Sequence, residues 1–161
     1  MNKKTAWILA MLWMALIFYF SAQVASDSNE MSTGLTVFIR RIILQILPKN
    51  NLSIETLNHF LRKTAHYSIY LILGILLKNA FNYEDLSQLK SNLYPMILGI
   101  IYALSDEYHQ SFVPNRGPKL SDVFIDSLGV ITGIFILSVF IARKDKHLRG
   151  YIANIKDRLQ L

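Results

Sequence analysis

Residues 102–117, YALSDEYHQSFVPNRG, place Asp106, Glu107, His109, Gln110 and Arg116 at the end of an apolar stretch. These residue types can do three kinds of chemistry. An imidazole oriented by a carboxyl group moves protons. Oxygen ligands with one or two histidines suit a hard divalent ion such as Mg or Mn. An arginine fork grips phosphate at two points. The preceding residues 93–104 read as a membrane span, and ionisable side chains at membrane depth usually mark a functional or tightly paired site.

The elements that must position these groups follow from composition. Hydrophobic residues make up 52% of the 161-residue chain, concentrated in blocks at 6–20, 64–80, 93–113 and 123–142. Long apolar blocks argue for lipid, where a soluble domain would show periodic stripes. With flanking residues each block supplies about 17–25 helical positions, enough for ~30 Å of hydrocarbon. The expected fold is all-α: an integral membrane bundle of four transmembrane helices. An interfacial or re-entrant helix, GLTVFIRRIILQIL, lies between the first and second, because Arg40 and Arg41 are costly at a span's centre. Pro48 would end that helix, and Ser53 can cap the next one near Ile54. Residues 21–32 and 82–92 read as polar loops, and Pro95 reads as lying in the first turn of the third span. Residues 1–142 form one transmembrane domain, and 143–161 a basic cytoplasmic tail.

The net charge of +6 does not point to nucleic acid, because the basic residues flank the spans and are not interleaved with aromatics. The absence of cysteine removes disulfides, thiolate metal sites and a Cys nucleophile. Lys3 and Lys4 before an apolar run resemble a signal peptide, but Ala22-Gln23-Val24 is a poor cleavage site, so the run reads as the first span. Lys3, Lys4, Lys78, Lys90, Arg143, Lys144, Lys146, Arg149, Lys156 and Arg158 fall on one side. Arg40, Arg41, Lys49, Arg62, Lys63, Arg116 and Lys119 fall on the other. The positive-inside rule then makes both termini cytoplasmic in a multi-pass cell-membrane protein, with the motif facing outward.

At ~1.5 Å per residue, Asp106 lies about 20 Å along the third span, and His66 and Asp126 about 7–9 Å below the outer boundary. Ser21 and Gln23 approach the same layer. Lys63 with His66, Asp106 with His109 and Gln110, and Asp122 with Asp126 are three or four apart and share helix faces. Gly99, Gly129 and Gly133 allow close helix approach. Three readings stand side by side. Arg62, Lys63 and Arg116 could pair with Asp106, Glu107, Asp122 and Asp126 as a structural network. The same cations, with Ser21, Gln23, Gln110, Asp122 and Asp126, could bind a lipid or wall-precursor headgroup, with Tyr70, Tyr102 or Tyr108 lining the apolar part. His66 or His109, with Asp106 and Glu107, could catalyse hydrolysis or transfer on such a lipid. No resident cofactor is required. A metal would fall on Asp106, His109, Asp122 and Asp126. His59 and His147 read as surface residues.

Four separated motifs now stand in order: Phe20-Ser21-Ala22-Gln23, Arg62-Lys63-Thr64-Ala65-His66-Tyr67, the stretch from Tyr102 to Arg116, and Asp122-Val123-Phe124-Ile125-Asp126-Ser127-Leu128-Gly129. Together, over about residues 10–140, they resemble the VanZ-like family. That resemblance implies a small bacterial multi-span envelope protein, and the family is named for a member linked to teicoplanin resistance. It implies functional weight for Lys63, His66, Asp106, Glu107, His109, Gln110, Arg116, Asp122 and Asp126. The expected partners are the membrane and a lipid or wall precursor, with no nucleic acid and the oligomeric state open.

Overall fold

The computed structural model describes residues 2–23, 25–46, 53–114 and 117–159. Five helices follow in order, with no strand among these residues: α1 (Lys3–Ser21), α2 (Ala25–Ile46), α3 (Ile54–Phe81), α4 (Gln88–Gln110) and α5 (Leu120–Leu159). Two helix starts are capped by side chains, the one at Ser53 as the sequence predicts. Asn2 accepts from the Thr5 amide at 2.8 Å, and Ser53 from the Thr56 amide at 3.1 Å, each satisfying an otherwise orphan donor.

Two boundaries differ from expectation. Residues 25–32 belong to α2, where the sequence reads as a loop. Ser, Asp and Asn favour helix starts as well as turns, so a polar segment without apolar periodicity hides a helix entrance. α4 also begins earlier than expected, which moves Pro95 from a first turn to a buried interior position. The basic segment after Ala142 continues α5, a helix of 40 residues, without a break. Pro48 lies outside the described residues.

α3 is the central helix, in contact with α1, α2, α4 and α5. Tyr70, Leu73 and Leu77 of α3 meet Ala10 and Ile17 of α1, Ala103 of α4, and Val130 and Ile134 of α5 in one core. The α3–α5 seam is the tightest. A Cβ on Gly74 would overlap the Val130 carbonyl, one on Gly133 the Leu71 carbonyl, and one on Gly129 would stand 2.5 Å from the Tyr67 carbonyl. Bare backbone faces bare backbone there, as small residues permit.

Outward faces are apolar. Met11 and Leu12 of α1, Ile97 and Ile101 of α4, and Phe124 and Phe135 of α5 are all exposed. A soluble monomer rarely shows so extensive an apolar surface. α1 and the Leu120–Arg149 part of α5 are long and apolar enough to cross a membrane.

At the end of the bundle where α1 starts, Glu84 accepts from Lys3 Nζ at 2.7 Å and from Trp7 Nε1 at 3.0 Å. This ties α1 to the α3–α4 turn. The Lys3 bond first, then the Trp7 bond, holds the Glu84 carboxyl below its ordinary value of 4.5. A depressed carboxyl contributes stability above its unfolded-state pKa and loses it as pH falls through the folded value. In a Trp13→Phe background, Trp7 fluorescence is therefore expected to titrate with a midpoint below 4.5. A midpoint at or above that value refutes the tie.

The seam makes a second prediction. Gly133→Ala forces a methyl into unyielding backbone and should cost about 1–3 kcal/mol, typical of overpacking. Gly34→Ala meets nothing within 4 Å and should cost nothing. Thermal midpoints of the detergent-solubilised variants decide, and equal midpoints for both refute the close-packed seam.

Candidate functional site

Below the glycine seam, α3 and α5 carry two polar rungs. Lys63 Nζ pairs with Asp122 Oδ1, and about one turn further along α3 His66 Nδ1 lies 3.4 Å from Asp126 Oδ1. The i, i+3 spacing on α3 faces the i, i+4 spacing on α5, so each rung falls in register. Asp126 is only 1% exposed, with the His66 imidazole beside it. His66, by contrast, reaches the surface of a cavity.

That cavity, about 330 Å³, lies where the end of α1, the middle of α2 and the first half of α3 meet the end of α4. Ser21, Gln23, Arg62, His66, Asp106 and Gln110 supply its polar wall, with Tyr70 beside them. Ile17, Phe20, Leu35, Leu61 and Ile69 supply the apolar wall. Asp106 is its buried polar anchor. Tyr70 Oη donates to Asp106 Oδ2 at 3.1 Å and Gln110 Nε2 to the same oxygen at 3.2 Å. The other oxygen, Oδ1, is buried and finds no hydrogen-bond partner among the described residues.

The wall is braced from α1. Tyr102 Oη donates to the Met14 carbonyl at 2.6 Å, and Trp13 Nε1 to the Ile69 carbonyl at 2.9 Å. Both bonds use carbonyls already inside helices, so they fix one helix against another without breaking either.

Seven of the residues singled out in the sequence thus share one cavity: Ser21, Gln23, Arg62, His66, Tyr70, Asp106 and Gln110. The others stand elsewhere. Lys63 and Asp122 pair beside the cavity, and Asp126 backs His66. Glu107 turns away, its Oε1 accepting from the Lys119 amide. His109 stacks on Phe18, ring centroids 4.4 Å apart, away from the Asp106–Gln110 face. Arg116 lies outside the described residues. Among the described residues, no three His, Asp or Glu side chains gather to hold a metal ion.

A family model described as VanZ/LLP1 matches residues 6–141. The chain belongs to the VanZ/LLP1 family. No curated protein and no solved structure matches it. The VanZ/LLP1 match takes in the whole cavity wall and stops within α5, leaving the basic extension outside. Family membership and two span-length apolar helices together identify a membrane protein.

One polar cluster in this VanZ/LLP1 chain is not evident from the sequence alone. Lys78 reads there as a flanking charge, yet it is 1% exposed inside the bundle. Its Nζ donates to Ser91 Oγ at 2.7 Å and to the Ser91 carbonyl at 3.2 Å. Pro95 explains this arrangement. It has no N–H to give the carbonyl four residues back, and a proline inside a helix leaves that acceptor unmet. Lys78 fills the gap from the neighbouring helix. The only trace in the sequence is a Lys late in one apolar block and a Pro early in the next, and their contact alone gives it meaning. Pro95→Ala restores the missing donor, so Lys78→Met should cost less in that background than in the wild type. A double-mutant cycle should show coupling of about 0.5–1.5 kcal/mol. Additive losses refute the link.

Proposed function

We propose that the protein is a four-span envelope membrane protein whose cavity binds the headgroup and adjoining chain of a lipid or a lipid-linked wall precursor. In this reading α1, α3, α4 and α5 cross the membrane, both termini are cytoplasmic, and the cavity opens at the outer leaflet. The flanking charges support that orientation, although the burial of Lys78 removes one from the inner side. Sequestering or presenting a wall precursor there is a route to glycopeptide (teicoplanin) tolerance.

The observation that carries the reading is the two-sided cavity. An amphiphile needs apolar surface beside cationic and hydrogen-bonding groups, and Leu35, Leu61 and Ile69 line the same cavity of about 330 Å³ as Arg62, His66 and Gln110. Arg62 carries five N–H donors, enough to serve a phosphate and a protein contact together. One specific observation favours a second reading. His66, held by Asp126 at 3.4 Å and lining the cavity, has the geometry of an oriented acid–base group acting on the bound lipid.

Native mass spectrometry of the purified protein separates the readings. Binding predicts that Arg62→Ala lowers co-purifying lipid about tenfold, the effect of one charge-assisted phosphate contact. His66→Ala should change retention less than about twofold by comparison. Catalysis predicts lipid turnover by the wild type that His66→Ala abolishes while retention persists. Absence of any lipid above background on the wild type overturns both.

A further inference from the structure

Three buried carboxyl oxygens find no hydrogen-bond partner among the described residues: Asp106 Oδ1, Glu107 Oε2 and Asp126 Oδ1. Their surroundings differ. Asp126 Oδ1 has the His66 imidazole 3.4 Å away, and Glu107 turns toward the Lys119 amide. Asp106 alone of the three belongs to the cavity wall. It is 4% exposed, and both protein donors that reach it, Tyr70 and Gln110, go to Oδ2.

A carboxyl oxygen shut away from water without a donor bears the full cost of desolvation, and native structures seldom leave one so. Tyr70 and Gln110 fix the group in place while leaving its second oxygen for something else. No protein donor reaches Oδ1 among the described residues, and Asp106 lines the cavity, so a molecule bound there is the source of a donor. Phosphate oxygens, esters and acyl chains cannot fill the role.

We infer that Asp106 is a specificity-determining residue, and that the bound headgroup presents an N–H or O–H donor to Asp106 Oδ1 while its phosphate lies toward Arg62. This rests on the lipid-binding reading and narrows it. The ligand class is phospholipids or lipid-linked phosphates bearing a primary ammonium or free hydroxyls. Headgroups capped by alkyl groups are excluded, because they would leave Oδ1 facing carbon. Discrimination of this kind is strong: a site built to pair a polar group loses heavily when the ligand lacks the partner.

Two matched lipid pairs test it, each equal in charge and differing in donors. Phosphatidylethanolamine competes against phosphatidylcholine, and phosphatidylglycerol against phosphatidylethanol. Each pair is mixed equally in nanodiscs with the full-length protein, and bound lipid is read by native mass spectrometry. The expected result is a preference of about tenfold for the donor-bearing member of at least one pair, the ratio that ~1.4 kcal/mol gives. The pair that discriminates identifies ammonium or hydroxyl as the donor. Asp106→Asn and Asp106→Ala should bring the ratio to about one with lipid still retained. The wild-type ratios decide the matter even where these buried substitutions prevent folding. Retained lipid with no discrimination in either pair overturns the inference and leaves the binding reading intact. No retained lipid overturns both.

Discussion

Backbone contact between α3 and α5, made possible by Gly74, Gly129 and Gly133, is the constraint on which the rest depends. In lipid no hydrophobic force drives helices together, so close van der Waals approach must do so. That approach sets the rotation and register of α5 on α3. With the seam in register, Lys63 meets Asp122 and His66 meets Asp126. A shift of one residue along α5 would turn both carboxyl groups by about 100° away from their partners. The polar site is therefore downstream of an apolar contact.

The carboxyl groups of this region divide the work. Asp122 and Asp126 face side-chain partners on α3, and such pairing offsets the cost of taking charge out of water. Asp106 is held differently, by two neutral donors on one oxygen. Asp126 sits behind His66 and acts on the cavity through it, whereas Asp106 is itself part of the wall. At the far end of the bundle, Lys78 and Pro95 show the same economy, one helix supplying a donor that its neighbour lacks.

Much of the site is legible in the residue spacing. Helical rise places His66, Asp106 and Asp126 at one depth, and the fold brings His66 to Asp126 and both His66 and Asp106 to a shared cavity. Spacing pairs Asp106 with Gln110 correctly but also groups His109 with them. Residues three apart differ by about 60° in rotation, and that is enough to send His109 to Phe18 on α1. Glu107 reads as part of the same chemistry, yet the loop amide of Lys119 claims it. Loop geometry leaves no periodic trace in a sequence.

By itself the sequence determined the four apolar blocks, the helix start at Ser53, the family, and the inventory of ionisable groups at the site. These are properties of composition and local hydrogen bonding, which act within a few residues. Tertiary structure alone decided the donor role of Lys78 and which carboxyl oxygen lacks a protein donor. Those depend on what stands within about 3 Å of a given atom. Such neighbours come from residues dozens of positions away, as Tyr70 does for Asp106.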